Sequence, residues 1–302
     1  MKWIAKLIAP LFFLSAHASA ARETSSSQPV LPFGQLQPKA KLSAPYNAKN
    51  GGSPLISTQA IMGVRGGASV NPKLVAATTG ASVLSLYSIG CILSPDKVTE
   101  GYGIESTHRD NHIVRNSGYL TVIATMVLWF LSYETMSMNP AVAISVLPYC
   151  FRRFQNLLTR APTEFGFSWT LEYIHLAVSC VAVYANWTNA PFANDSTLGF
   201  GLLLLLNGFV LFCAPHTMST STSLSKMHSR NFGNNLMIDG VFFAALALTQ
   251  NIFQAFGYCW IFAGLGIGTM TFVTKDIPTI AVNPCVIWML LMLVFGAVSA
   301  WP

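Results

Sequence analysis

The sequence predicts an all-α integral membrane protein in which eight transmembrane helices form two parallel four-helix repeats, preceded by a signal peptide and a disordered tail. Charged residues make up 9% of the chain and hydrophobic residues 52%, whereas soluble domains carry about 25% charged residues. Long apolar runs alternate with short polar loops, and one pattern recurs at an offset of about 115 residues. The lipid bilayer is therefore the expected surrounding. The formal charge of +6 reflects topology rather than a nucleic-acid surface.

Residues 1–20 have the three parts of a cleaved signal peptide. Lys2 and Lys6 precede a short apolar run, and Ala18-Ser19-Ala20 supplies the small residues of a cleavage site. The apolar run is too short to cross a bilayer. The chain is therefore expected to enter the secretory pathway and to reside in an endomembrane.

Residues 21–72 are rich in serine, proline and glycine, and they contain five basic residues and a lone acid, Glu23. Such a segment buries too little apolar surface to fold. Two interpretations stay open. The segment is either a flexible luminal tail or a Ser-rich, acid-poor transit segment for the membrane of a complex plastid. Plastid presequences of this kind usually have an aromatic residue after signal cleavage, where this chain has Ala21.

Eight apolar segments have the length expected of membrane spans. The third is the weakest, because it contains Pro148 and its apolar run ends at Arg152 and Arg153. Hydropathy alone indicates an interfacial segment there, but the repeat predicts a full span whose arginines extend to the lipid headgroups. The predicted spans are 74–94, 117–136, 138–158, 165–185, 197–214, 233–250, 252–273 and 283–301.

Short sequence marks define the two repeats, which are predicted at 73–187 and 188–302. Four helices return the chain to the side where it began, so both repeats run in the same direction. A central site is then expected between them, near a pseudo-twofold axis. The clearest marks are Arg115, Asn116 and Gly118, recurring as Arg230, Asn231 and Gly233. Upstream, Gly90-Cys91 with Pro95 parallels Phe212-Cys213 with Pro215.

The loop charges predict the orientation of the spans. If the tail is luminal, nine lysines and arginines fall in the cytosolic loops 95–116, 152–164, 215–232 and 274–282, and none falls in the opposite loops. This asymmetry follows the positive-inside rule. Asn186 and Asn194 both fit the glycosylation acceptor pattern, and both lie in one predicted luminal loop.

Each repeat resembles the four-helix membrane modules of the DoxX-like family. The marks are a proline after the first helix, a Tyr-Gly loop, and an arginine and glycine at the second helix, here Pro95, Tyr102-Gly103, Arg115 and Gly118. The second repeat keeps the proline, arginine and glycine but lacks the Tyr-Gly pair. The resemblance covers about half of each repeat. It implies a link to quinone-dependent redox chemistry in some members and assigns no functional residue here.

Three ionisable residues fall inside predicted spans: Glu172 and His175 in the fourth, and Asp239 in the sixth. Such groups cost roughly 2.5–3.5 kcal/mol at mid-bilayer, so they mark functional sites. At about 1.5 Å per residue they should lie roughly 9–15 Å from the cytosolic end of their spans. Two interpretations stay open: a proton relay or cation site, or hydrogen-bonded clasps that only stabilise packing.

His108 and His112 have a spacing that would let a helix hold a metal ion from one face. The mixed charges around them are more typical of a solvated loop, so no metal is predicted. The six cysteines form no Cys-x-x-Cys motif and are expected to be free packing residues. No cofactor is predicted.

The sequence leaves three classes of function open. The first is a carrier of a small solute or lipid, with a site between the two repeats. The second is a structural or assembly protein of an organelle membrane, and the third is a quinone-linked membrane redox subunit. Glu172, His175 and Asp239 are the candidate site residues for the first class. The expected partners are the bilayer and a small-molecule or lipid ligand.

Overall fold

The computed structural model describes residues 71–101, 106–215 and 226–301. Every regular element in these ranges is helical, which confirms the all-α prediction. The predicted signal peptide, the tail up to residue 70 and the Tyr102-Gly103 pair lie outside the described residues. The long helices, labelled α1 to α8, are Pro72–Leu93, His108–Ser132, Met138–Leu158, Trp169–Trp187, Ala193–Cys213, Lys226–Thr249, Ile252–Gly268 and Thr279–Ala300.

Three shorter elements complete the described chain. Pro95–Gly101 follows α1, Ala161–Phe165 precedes α4, and a π-helical turn at Thr269–Val273 extends α7. Side-chain caps set the helix starts: Asn71 accepts a hydrogen bond from the Lys73 backbone N–H at 3.0 Å, and Asn251 begins α7 in the same way. These caps satisfy backbone donors that a helix start leaves unpaired.

Among the described helices, six are long and apolar enough to cross a membrane: α1, α2, α5, α6, α7 with its π turn, and α8. Helices α3 and α4 are less apolar, because α3 contains two arginines and α4 contains a glutamate and a histidine. Their exposed side chains nevertheless include large apolar ones, such as Phe151 and Val181. An apolar outer surface around buried charged groups is the arrangement expected of a protein in lipid.

The first four and the last four helices have the same order of neighbours. Helix α1 packs on α2, α2 on α3, and α3 on α4, and α5 to α8 repeat this series. The corresponding helices α2 and α6 also contact each other, and α4 packs on α5 as α8 packs on α1. Such reciprocal contacts are those expected of two like halves related by a pseudo-twofold axis, the arrangement that the sequence predicts.

The arginine that marks each repeat makes the same contact in both halves. Arg115 Nε donates to the carbonyl oxygen of Ile92 at 3.3 Å, and Arg230 Nε donates to that of Phe212 at 3.1 Å. Each guanidinium thus satisfies an unpaired carbonyl in the last turn of the preceding helix. Arg230 also forms an ion pair with Asp276.

The glycine of each mark lets the second helix approach the first. A Cβ on Gly118 would lie 2.8 Å from Cys91 Cβ, and one on Gly233 would lie 3.0 Å from Leu211 Cβ. Cys91 therefore corresponds to Leu211 and not to Cys213, so the predicted parallel between the two cysteines is wrong by two residues. The residues that pack against the glycine, not the cysteines, therefore show which positions of α1 and α5 correspond. The contacted positions Ser88, Cys91 and Ile92 recur 120 residues later as Gly208, Leu211 and Phe212.

Helices α5 and α6 make a close backbone contact through two glycine pairs. A Cβ on Gly201 would lie 2.9 Å from the carbonyl oxygen of Gly240, and a Cβ on Gly208 would lie 2.6 Å from that of Gly233. The two contact glycines on each helix are seven residues apart. Small residues at such a spacing form a seam along which membrane helices pack tightly.

Candidate functional site

The three predicted intramembrane residues are buried in two different cavities. Glu172 and His175 line a cavity of about 50 Å³, whereas Asp239 lines one of about 180 Å³. The smaller cavity reaches α6 at Ser229, ten residues before Asp239, which corresponds to about 15 Å along the helix. The three residues therefore do not form the single site in which the sequence analysis grouped them.

Their depths also differ from the prediction. Helix α4 begins at Trp169 rather than near 165, so Glu172 lies in its first turn. Helix α6 begins at Lys226 rather than at 233, which places Asp239 at the middle of the helix. Asp239 is thus the deeper acid, and Glu172 lies close to one end of the bundle.

Glu172 forms a buried ion pair with Arg153. Glu172 Oε1 lies 2.7 Å from Arg153 Nη1, and the two side chains are 8% and 6% exposed. Asn156 Nδ2 lies 3.5 Å from the other carboxylate oxygen. The predicted extension of Arg152 and Arg153 to the headgroups is wrong, because α3 continues to Leu158 and both arginines turn into the bundle.

His175 is held between two polar side chains. Tyr149 Oη lies 2.7 Å from Nδ1, and Asn207 Nδ2 lies 2.8 Å from Nε2. Both ring nitrogens are therefore within hydrogen-bonding distance of a polar side chain. The Arg153 guanidinium lies over the Tyr149 ring at 4.5 Å, so the histidine and the ion pair belong to one network.

Arg152 forms a second buried network beside the first. Its Nε donates to Asn116 Oδ1 at 2.6 Å, and its Nη1 donates to Gln155 Oε1 at 2.8 Å. His112 Nδ1 lies 3.3 Å from Nη2. Asn116, a repeat mark in the sequence, therefore binds a guanidinium inside the first half.

The larger cavity lies between the two halves of the chain. Its lining comes from α1 and α2 on one side and from α6, α7 and α8 on the other. Most of the lining is apolar, and Trp260 and Trp288 contribute to it. Along α7 the lining extends from Cys259 to Met270, which is about 16 Å. The cavity thus follows much of the depth of the bundle.

One side of this cavity is polar. It is lined by Asn231, Asn234, Asn235 and Asp239. Asp239 is 3% exposed, and its Oδ2 has no hydrogen-bond partner among the described residues. Within the same ranges, Asn234 Oδ1 and Asn235 Nδ2 are unpaired as well. Buried polar atoms without partners are costly, so this side of the cavity fits a polar ligand group.

Corresponding helices line the two cavities: α2 to α6 line the smaller one, and α6 to α8 with α1 and α2 line the larger one. Buried residues of α3 recur in α7 at a spacing of 114: Ala141, Val142, Ser145 and Val146 match Ala255, Phe256, Cys259 and Trp260. In this register, Tyr149, Arg153 and Asn156 correspond to Ala263, Ile267 and Met270, which all line the larger cavity. With the spacing of 120 between α1 and α5, Asn207 beside the smaller cavity corresponds to Tyr87 beside the larger one.

The histidines His108 and His112 do not face a common ion. His108 Nε2 lies 3.3 Å from Glu164 Oε1 at the surface. The His112 ring stacks on Phe165 at 4.3 Å and lies beside Arg152. Within the described ranges, no group of three histidine, cysteine or acidic residues is placed to hold a metal ion.

The two glycosylation candidates differ in accessibility. Asn186 is 1% exposed, and its amide donates to Thr197 Oγ1 at 2.9 Å and to the carbonyl oxygen of Ala182. Asn194 lies half-buried in the first turn of α5. The native position of Asn186 therefore leaves no room for a glycan on its amide.

We expect Asn194 to carry any glycan on this loop. In a glycosidase gel-shift on the full chain, Asn194→Gln should remove the mass loss, whereas Asn186→Gln should retain it. A mass loss that only Asn186→Gln abolishes would contradict this assignment. The absence of any mass loss in the unsubstituted chain would contradict a luminal location of the loop.

Sequence reasoning missed the partners of the predicted residues. The apolar run ends before Arg153, which predicts that its side chain extends to the headgroups, and Tyr149 and Asn207 carry no charge that would mark them. One signal was present: Tyr149, Arg153 and Asn156 lie on one helical face at spacings of four and three. That face would have indicated a buried polar stripe.

Comparison of the chain with protein-family models, with curated proteins and with solved structures found no match. The resemblance to DoxX-like modules therefore stays a prediction.

Proposed function

We propose that this chain is a membrane carrier of a small solute or lipid, built from two parallel four-helix repeats with eight spans. The observation that supports it most is the cavity of about 180 Å³, which lies between the halves and is lined by Asp239, whose Oδ2 has no hydrogen-bond partner among the described residues. An engineered apolar cavity of about 150 Å³ binds benzene, so the space suits a small molecule.

The recurring contacts support the repeat on which this proposal depends. Arg115 and Arg230 make equivalent backbone contacts, and the buried positions of α3 recur in α7. Two parallel halves place their shared axis near the contact between α2 and α6, and both helices line the larger cavity. Carriers made from two like halves bind their substrates between them.

Location and orientation follow from the same proposal. The predicted signal peptide leads the chain into the secretory pathway, and the loop charges place the start of α7 at the luminal side and the start of α8 at the cytosolic side. The membrane is then that of a secretory compartment or of a complex plastid entered by this route. The proposed ligand is a small molecule or a lipid group.

A structural or assembly role is the second candidate, and one observation favours it. Glu172, Arg153, Tyr149 and His175 are bound to one another within the first half. A buried network of this kind stabilises helix packing without a ligand. The two candidates differ in whether the larger cavity opens to water.

Two cysteines make this difference measurable. Cys259 lies about 10 Å from the start of α7, Cys285 lies about 9 Å from the start of α8, and both line the larger cavity. Cys91 is equally buried but packs between α1 and α2, outside the cavity lining. Variants that retain one of these three cysteines and lack the other five form a matched set.

The test adds a charged, membrane-impermeant methanethiosulfonate to either side of sealed vesicles that contain each single-cysteine variant. A carrier exposes its site alternately, so Cys259 and Cys285 should be modified from both sides, while Cys91 should stay unmodified. Modification from one side alone would contradict carriage and leave a one-sided binding cavity. Protection of all three cysteines would support the structural role.

A further inference from the structure

Large side chains of the first half occupy the space that corresponds to the larger cavity. Tyr149 and Arg153 lie there, with the guanidinium over the aromatic ring at 4.5 Å. The corresponding residues of the second half are Ala263 and Ile267. Replacing tyrosine by alanine and arginine by isoleucine removes an aromatic ring and a cation, so the remaining cavity is larger, about 180 Å³ against about 50 Å³.

The two halves also differ in charge at a second pair of corresponding positions. At the register of 115 set by Arg115 and Arg230, Asp239 of the second half corresponds to Ala124 of the first. The second half therefore has no arginine at the position of Arg153, and it has an acid at the position of Ala124. Both Ala124 and Asp239 line the larger cavity.

The buried carboxylate at the polar side favours a ligand that donates hydrogen bonds. Asp239 is 3% exposed, and its Oδ2 is an acceptor without a hydrogen-bond partner among the described residues. A buried carboxylate without a cation is costly, and a cationic ligand relieves that cost with charge-assisted hydrogen bonds. In the first half, the equivalent of Asn231 is Asn116, whose Oδ1 already accepts from a guanidinium.

We infer that the larger cavity binds a small organic cation with an amidinium, guanidinium or ammonium head on a compact apolar or aromatic body. The head pairs with Asp239 and the neighbouring asparagine amides, and the body lies against Trp260 and Ala263. The ligand thus takes the place that Arg153 and Tyr149 fill in the first half. This inference rests on the proposed function, because it names the substrate class of the same cavity.

The experiment measures binding of benzamidinium to the full-length protein purified in detergent, by calorimetry and by the shift in melting temperature. Benzamide has nearly the same shape without the charge and serves as the neutral probe. We expect saturable benzamidinium binding that is roughly 30-fold weaker in Asp239→Asn, since loss of a buried charge partner has effects of this size. Benzamide should bind weakly to both proteins.

Two variants keep the result interpretable. Glu100→Gln makes the same change in net charge at an exposed position of the short helix Pro95–Gly101 and should retain full benzamidinium binding. Ile267→Arg places in the lining of the larger cavity the arginine that the first half has at position 153. It should abolish benzamidinium binding while the protein still unfolds cooperatively, which separates occupation of the cavity from misfolding.

Three results would overturn the inference. The first is equal binding of benzamide and benzamidinium that is insensitive to Asp239→Asn, which would leave a small-molecule cavity without a preference for cations. A second is the absence of benzamidinium binding in a protein whose Cys259 and Cys285 react from both sides, which would reject the cation and retain the carrier. The third is binding that persists in Ile267→Arg, which would place the cation elsewhere.

Discussion

Replacing Glu172 by leucine should destabilise the protein by about 3–5 kcal/mol, because the Arg153 guanidinium would remain buried without its partner. The carboxylate lies 2.7 Å from Nη1 of that arginine, and both side chains are more than nine-tenths buried. The double variant Glu172→Leu/Arg153→Leu should recover most of the loss, since removing both charges leaves no uncompensated ion. The measurement is thermal and denaturant unfolding in detergent.

A surface ion pair provides the matched control. Glu164 lies 3.3 Å from His108 Nε2, but its side chain is 53% exposed, so Glu164→Leu should cost less than about 1 kcal/mol. If Glu172→Leu is no less stable than Glu164→Leu, the ion pair does not hold α3 against α4. A double variant no more stable than Glu172→Leu alone would assign the loss to Glu172 contacts other than the pair.

The second large effect is expected at the contact between α5 and α6. Gly201→Leu would place a Cβ 2.7 Å from the backbone nitrogen of Ala244 and 2.9 Å from the carbonyl oxygen of Gly240. Backbone atoms cannot rotate away as a flexible side chain can, so the two helices would have to separate. Overpacking of this kind costs about 1–3 kcal/mol or more. The melting temperature should fall markedly.

Gly199 is the control on the same helix. It is exposed, and a Cβ placed on it meets nothing within 4 Å. Gly199→Leu should be neutral or stabilising, because glycine within a helix is about 1 kcal/mol less favourable than a good helix former. Equal melting temperatures for Gly201→Leu and Gly199→Leu would contradict the close contact. A large loss in Gly199→Leu would instead indicate a neighbour on that face.

Both predictions bear on the proposed carrier. The first half is expected to be a rigid unit, since its cavity is filled by the network of Glu172, Arg153, Tyr149 and His175. The second half keeps the larger cavity and its unpaired Asp239. Destabilisation by Glu172→Leu with unchanged benzamidinium binding would show that the two halves have separate roles.

The sequence alone indicated the helical membrane architecture and most helix bounds. Apolar length fixes where a helix can cross lipid, and caps such as Asn251 lie next to the helices that they begin. The predicted helix bounds were wrong where polar residues continue a helix. Helix α2 begins at His108 rather than near 117, because Thr107 caps it and its first turns are polar. Hydropathy does not detect polar helical turns, but backbone hydrogen bonding includes them.

The sequence also identified Glu172, His175 and Asp239 as buried ionisable residues, because charge inside an apolar run is visible without a structure. Their partners were decided only by tertiary packing, which turns Arg153 towards α4 and brings Asn207 of α5 to His175. The correspondence of Tyr149 and Arg153 with Ala263 and Ile267 likewise follows from which positions of α3 and α7 are buried, not from residue identity. Sequence periodicity describes one helix at a time. A cavity is lined by five helices, and their relative positions depend on packing between side chains that lie far apart in the chain.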